Sequence, residues 1–232
     1  MNYRHKLQYL LVQKLKISNQ EVKNALAGGL IKVDDEVVTD NCLVGPYQKV
    51  MYGKTMVQDA SEFVYMAYYK PMGIECTLNL AIANNLAQAL PKEAAHLFYA
   101  GRLDKASEGL LLLTNDGFLY NKIIQPERKL PKVYLVKLEK PYAADFKDKM
   151  EAGVEILGTK TLPCKIELID LDSFKIELTQ GLNRQIRRMC FALENYVTEL
   201  KRISIGPIEL LKLKPGNYRL LTEHEILQLQ KL

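Results

Sequence analysis

GRLDKASEGLLLLTNDG, residues 101–117, places one carboxylate, Asp104, between a glycine-bearing turn and an apolar run. Arg102 and Asp104 flank Leu103, so an extended segment puts both charges on one side. Leu110–Leu113 is too short to span a membrane and reads as a buried strand or the start of a helix. Asn115, Asp116 and Gly117 follow as a strong turn signal. A charge held against a rigid apolar anchor is one way a fold presents a catalytic carboxylate. The same residues also suit a plain loop whose Asp104 caps a helix or pairs with Arg102.

The rest of the chain narrows the class. Its 232 residues allow one large domain, or a small one and a larger one. A hydrophobic fraction of 48% supplies a real core. The net charge of +5, from 32 Lys and Arg against 27 Asp and Glu, permits a nucleic-acid partner without requiring one. Cys42, Cys76, Cys164 and Cys190 lack zinc-site spacing, and His5, His96 and His224 are equally scattered, so no metal site is expected. The N-terminus has no continuous apolar core followed by a small-residue cleavage site. Free thiols without an export signal imply the reducing cytoplasm, and no membrane association is expected.

Along the chain, residues 4–16 have helical spacing on Leu7, Leu10, Leu11 and Leu15. Ser18 and Glu21 form a capping-box pattern, and Gly28–Gly29 suits the stop of the helix that follows. LIKV, the turn at Asp34–Asp35 and EVV predict a hairpin. A boundary is placed near Gln58–Glu62, giving domains at 1–60 and 61–232. Beyond it, 133–139, 164–171 and 174–180 alternate like strands with one covered face, and helical patterns lie near 143–152 and 184–194. In the latter, Ile186, Met189, Cys190 and Leu193 share one face, while Arg184, Arg187 and Arg188 share another. Thr222 and Glu225 open a last helix. The mixture predicts an α+β protein.

The 101–117 segment resembles the catalytic motif of pseudouridine synthases, in particular the ribosomal RNA family that carries an S4-like N-terminal domain. KPMGIECT at 70–77, KVYLV at 132–136 and QGLNRQIRRM at 180–189 resemble three further motifs of that family in the same order. Together they span most of residues 65–220. The resemblance implies a small S4-like RNA-binding domain followed by a catalytic domain with a mixed, mainly antiparallel sheet. It implies isomerisation of a uridine in RNA without a cofactor, by a monomer. GVEILGTKTLPCKIE at 153–167 is most similar to the large-subunit branch, which points to 23S ribosomal RNA, with a transfer RNA as a second substrate in some relatives.

By the same resemblance Asp104 is the catalytic aspartate, acting as nucleophile or as base toward the sugar. Arg187 pairs with it, an arrangement that keeps a carboxylate ionised at neutral pH. Tyr134 stacks on the flipped base and helps remove a proton. Arg102, Arg184 and Arg188 are expected on RNA. Asn183 either caps its helix or touches the RNA backbone. Lys70, in a turn stiffened by Pro71 and Gly73, adds a further charge beside the RNA.

The S4-like segment departs from its family: Asn19 and Gln20 stand where basic residues are usual, and Asp34–Asp35 make an acidic turn. Lys14, Lys16, Lys23 and Lys32 remain for phosphates. The alternative to an enzyme is a catalytically inactive RNA-binding or ribosome assembly factor on the same fold. The combination of Asp104, Tyr134 and Arg187 argues against it. A hydrolase is a poorer reading, because Asp104 has no second carboxylate or nucleophile–base pair beside it.

Overall fold

A computed structural model describes residues 6–45, 48–60, 63–125 and 130–231. The chain divides into two compact units, Met1–Phe63 and Val64–Leu232. The start of the helix expected from residue 4, and residues 61–62 of the expected boundary, lie outside the described residues.

In the first unit, α1 (Leu7–Leu15) and α2 (Asn19–Ala27) precede β1 (Ile31–Val33), β2 (Glu36–Val37), β3 (Val50–Tyr52) and β4 (Thr55–Gln58). The capping box forms as the sequence predicts: Glu21 N–H donates to Ser18 Oγ at 3.2 Å, and Ser18 N–H to Glu21 Oε2 at 2.7 Å. Asp34 and Asp35 take left-handed φ values of 52° and 66°, which closes the β1–β2 hairpin. Sequence reading missed the second hairpin, and the sheet runs β2-β1-β3-β4. Leu7, Leu11, Val22, Ile31 and Val50 form its core.

The second unit is built on β5 (Tyr65–Lys70) and β7 (Glu108–Thr114), paired antiparallel from Tyr65↔Thr114 to Lys70↔Gly109. Leu110–Leu113 is therefore a strand. Both its faces are covered, and each fully buried leucine contributes about 2 kcal/mol. The expected turn at Asn115–Gly117 is instead a helix entrance. Asp116 Oδ1 accepts from Leu119 N–H at 3.1 Å and opens α4 (Gly117–Ile124).

Around this pair the sheet adds β6 (Phe98–Ala100), β8 (Lys132–Leu138), β11 (Lys165–Leu168), β12 (Ser173–Leu178), β13 (Val197–Ile205), β14 (Ile208–Glu209) and β15 (Tyr218–Leu220). Its path is β11-β12-β8-β13-β7-β5-β15, with β14 on β13 and β6 on β7. β9 (Glu155–Ile156) and β10 (Thr159–Lys160) form a separate ribbon. The remaining helices are α3 (Leu86–Ala89), α5 (Phe146–Glu151), α6 (Gln185–Ala192) and α7 (Glu223–Gln230).

The unit is thus α+β with a mixed, mainly antiparallel sheet. β12 shows the expected alternation, with Phe174, Ile176 and Leu178 buried. The segment 164–171 is a strand only over Lys165–Leu168. It lies at the sheet edge, where no further strand pairs with it among the described residues, and Leu168, Ile169 and Leu171 are exposed. The Thr222–Glu225 capping box forms, and Arg219 grips Glu225 at 2.7 Å.

Among the described strands the parallel joint, β13 with β7, is short: Lys201↔Glu108 and Arg202↔Gly109. Gly109 sits there at φ 110°, and a Cβ on it would stand 2.3 Å from the Arg202 carbonyl oxygen. Gly101, at φ 79°, faces open space. Gly109→Ala is therefore expected to destabilise by about 3 kcal/mol and Gly101→Ala by about 1 kcal/mol. Urea unfolding of both variants checks the difference, and equal midpoints would remove the claim that the joint demands glycine.

Candidate active site

Asp104 rides on the loop that enters β7, and the fold fastens this loop by its main chain. Arg202, 2% exposed in β13, donates from Nη2 to Gly101 O at 3.4 Å, from Nη1 to Arg102 O at 3.3 Å and from Nε to Leu110 O at 2.7 Å. Leu103 N–H reaches Cys76 Sγ at 3.4 Å. Asp104 O accepts from Ser107 N–H at 3.0 Å and Lys105 O from Gly73 N–H at 2.8 Å. Arg187 Nη2 takes Ala106 O at 2.8 Å, and Lys70 Nζ takes Ser107 O at 2.7 Å. Buried cations bound to carbonyls retain a solvation shell that apolar packing alone would deny them.

This arrangement corrects the expectations for Lys70 and Arg187 and removes one of the two readings of Asn183. Lys70 closes β5 with no exposed surface and donates to Pro71 O at 2.8 Å as well as to Ser107 O. Its ammonium is engaged by the loop rather than exposed at the surface. Burial pulls its ammonium below the ordinary lysine value, while the Asp104 and Glu108 carboxylates act in the opposite direction. Asn183 does not cap α6. It accepts from Arg188, at 3.1 Å on its carbonyl and 3.3 Å on its side chain. Arg187 forms no ion pair with Asp104 among the described residues. Its guanidinium spans from Ala106 O to Val197 O, the latter at 2.8 Å, and its Nε is buried without a partner. Burial lowers its affinity for the proton, Arg184 adds to this, and Asp104 opposes it.

Asp104 and Tyr134 line one small cavity of about 120 Å³, together with Arg102, Ser107 and Arg184. Tyr134, in β8, packs against two core clusters of this unit, so its ring is set by each. Arg102 and Arg184 are exposed at the rim, while Arg188 is half-buried. Arg184 takes a left-handed φ of 51° at the entrance to α6. A larger cavity of about 450 Å³ adjoins the first and shares Arg102, Tyr134, Gln180, Gly181 and Leu182 with it. A volume of ~300–1,000 Å³ is usual for a ligand site. The smaller space therefore takes a part of a substrate, on the scale of one base.

Sequence reasoning missed Arg202, Ser107 and Lys132. Ser107 Oγ is buried at the smaller cavity without a partner. Lys132 lies two residues before Tyr134 on the same strand, a spacing that places both on one face and was open to reading. Arg202 looked like any charge in an alternating strand. Among the described residues no three His, Cys, Asp or Glu group as a metal site would need, and no helix is long and apolar enough to cross a membrane.

A family model described as RNA pseudouridylate synthase matches residues 64–192. That stretch carries Asp104, Tyr134 and Arg187. The chain belongs to this family. The synthase is 38% identical over 210 residues to the dual-specificity RNA pseudouridine synthase RluF of Escherichia coli K12, covering 90% of this chain and 68% of that one. It is 35% identical to the RNA pseudouridine synthase YtzG of Bacillus subtilis, covering 90% and 91%. Against the ribosomal large subunit pseudouridine synthase B of Bacillus subtilis the identity is 30%, over 98% and 96%. A crystal structure of a pseudouridylate synthase superposes with a TM-score of 0.69 at 27% identity, over 97% of this chain and 99% of that one. The synthase isomerises uridine in RNA, and an inactive binding role for its catalytic fold is not favoured.

Lys70→Met leaves the Ser107 carbonyl without its donor. The variant is expected to be less stable by about 1–3 kcal/mol and to turn over more slowly at saturating RNA. The slope of log affinity against log salt should stay at the wild-type value. A slope reduced by about 0.7–0.9 would show instead that Lys70 neutralises a phosphate.

Proposed function

We propose that this synthase acts in the cytoplasm on a uridine of ribosomal RNA, most specifically of 23S ribosomal RNA, as a monomer. Asp104 is its reacting carboxylate, Tyr134 its base-stacking phenol and Arg187 the cation that sets the Asp104 loop. A transfer RNA is a second substrate class. The observation that carries this reading is the meeting of Asp104 and Tyr134 in one cavity, with Arg187 fastened to the loop between Asp104 and β7. The ribosomal assignment rests on the relative named for the large ribosomal subunit and on the resemblance of residues 153–167.

Pseudouridine formation breaks the bond from the sugar to the base nitrogen, turns the uracil and rejoins it through carbon 5. The base stays bound throughout, so atoms balance without a co-reactant. The target must leave its stack to reach a recessed carboxylate. Asp104 then acts at the sugar as nucleophile or base, and the Tyr134 ring holds the base while its hydroxyl takes part in proton removal. Arg102, Arg184 and Arg188 meet the phosphates around the opening, with Asn183 orienting Arg188.

The N-terminal unit serves as an S4-like RNA-binding domain of modest grip. Lys14, Lys16, Lys23 and Lys32 are exposed, whereas Lys49 is paired with Asp35 at 2.9 Å. Each exposed lysine in phosphate contact adds about 0.7–0.9 to the salt slope.

The test is release of tritium from carbon 5 of labelled uridine across a tiling set of 23S ribosomal RNA fragments. Asp104→Asn should fold and bind RNA while release falls by roughly 10³-fold or more. Near-normal release by the folded variant would remove the assigned role. Tyr134→Phe should bind as wild type does, with a single-turnover rate lower by roughly 10²-fold. A rate equal to wild type would leave the ring as a stacking platform alone.

A further inference from the structure

The larger cavity holds a cation with no partner. Lys132 lines it from the first position of β8, half-buried, and its ammonium makes no hydrogen bond or ion pair to the protein among the described residues. The same cavity is lined by Ile123, Ile124 and Leu162 and by the polar Gln125, Thr179 and Gln180, so the charge is withdrawn from bulk water into a mixed space. An unpaired charge in such surroundings is costly unless an anion completes it. The charged and titratable groups that face it with Tyr134 are Arg202 from β13 and Arg102 from the Asp104 loop. Among the described residues no carboxylate lines the space. The cavity shares the walls Arg102, Tyr134, Gln180, Gly181 and Leu182 with the one that Asp104 lines, and its volume suits a nucleotide.

We infer that this cavity is a subsite for the nucleotide next to the target uridine, with the phosphodiester joining the two seated on the Lys132 ammonium. The inference rests on the reading of Asp104 and Tyr134 as the reaction centre. Tyr134 is the shared wall: the target base lies on one side of it, and the neighbouring nucleotide descends on the other against Ile123, Ile124 and Leu162. Lys132 then fixes how far along the strand the target can slide, so it is a positioning residue and touches none of the reacting atoms. Burial, reinforced by Arg202, lowers the Lys132 pKa to about 8. The ammonium is therefore charged below that value in the free enzyme and loses its proton above it. RNA affinity should weaken as pH rises from 7 to 9.

The experiment measures filter binding of wild type, Lys132→Gln and Lys132→Arg, each checked for folding by circular dichroism. The RNA is a 23S ribosomal RNA stem-loop from which wild type releases tritium. It is also synthesised with a single neutral methylphosphonate on either side of the target. Lys132→Gln should bind about tenfold more weakly at low salt, with a salt slope lower by about 0.7. Lys132→Arg should keep the affinity and lose the decline between pH 7 and 9, since arginine stays charged there. One of the two methylphosphonates should weaken wild type to a similar extent and weaken Lys132→Gln no further, the coupling of a direct contact. Equal further losses in Lys132→Gln, or a wild type indifferent to both replacements, would overturn the subsite. If Lys132→Gln does not fold, the methylphosphonate series on wild type and the pH series on Lys132→Arg decide the matter alone. If no fragment of the tiling set releases tritium, the substrate assignment fails instead. The subsite is then measured on the fragment bound most tightly, with a methylphosphonate placed at each linkage in turn.

Discussion

Five carbonyls between Gly101 and Ser107 end on donors brought from distant parts of the chain, a sixth closes within the loop, and the position of Asp104 follows from them. Three of the donors are cations: Lys70 from β5, Arg187 from α6 and Arg202 from β13. A side-chain carboxylate partner would have satisfied them equally well. Using main-chain oxygens leaves the Asp104 carboxylate open to the cavity while holding its backbone still. The arrangement also sets positive charge around and beneath the loop, which suits an anionic side chain at its tip. Fixing a reacting group before the substrate arrives is worth more to a rate than added contacts to the bound state.

The second dependence is on the parallel joint between β7 and β13. The sheet has two antiparallel halves, and this short pairing joins them. Asp104 enters from one half, while Tyr134 and Arg187 belong to the other. Tyr134 touches one hydrophobic cluster in each half, so the packing of each half constrains the same ring. The distance across the cavity is thereby a property of the joint, and Gly109 is the residue that lets the two strands close upon one another.

Much of this was legible in the chain. The helix caps at Ser18 and Thr222 formed as spaced, because a capping box is a local device that needs four residues and nothing else. The alternation over 174–180 located a strand, whereas the apolar run at Leu110–Leu113 suited a strand or a helix start until its pairing with β5 decided it. The motifs placed Asp104 and Tyr134 together. The partners of the cations were not legible. Lys70 reads as an exposed turn lysine, and only the closure of β5 against β7 buries it. Arg187 reads as the ion-pair mate of Asp104, yet its geometry favours two carbonyls. A hydrogen bond from a side chain to a backbone oxygen a hundred residues away leaves no periodic trace. Lys132 is the intermediate case, since its two-residue step from Tyr134 was visible but the cavity that it lines was not.

β15 pairs with β5, joining Tyr218 to Tyr68, and this pairing has a consequence in time. As the chain leaves a ribosome, the edge of β5 stands open until some 150 further residues have emerged. Arg187 and Arg202 also follow Asp104 by most of a domain. Until they arrive, the 101–107 loop lacks two of its three cations. The nascent protein therefore lacks most of what fastens Asp104 for much of its synthesis, and the loop is held in full only when nearly the whole sequence is present. A chain cut short within the last strands would keep every motif of the family and still lack the edge strand that completes the sheet carrying them.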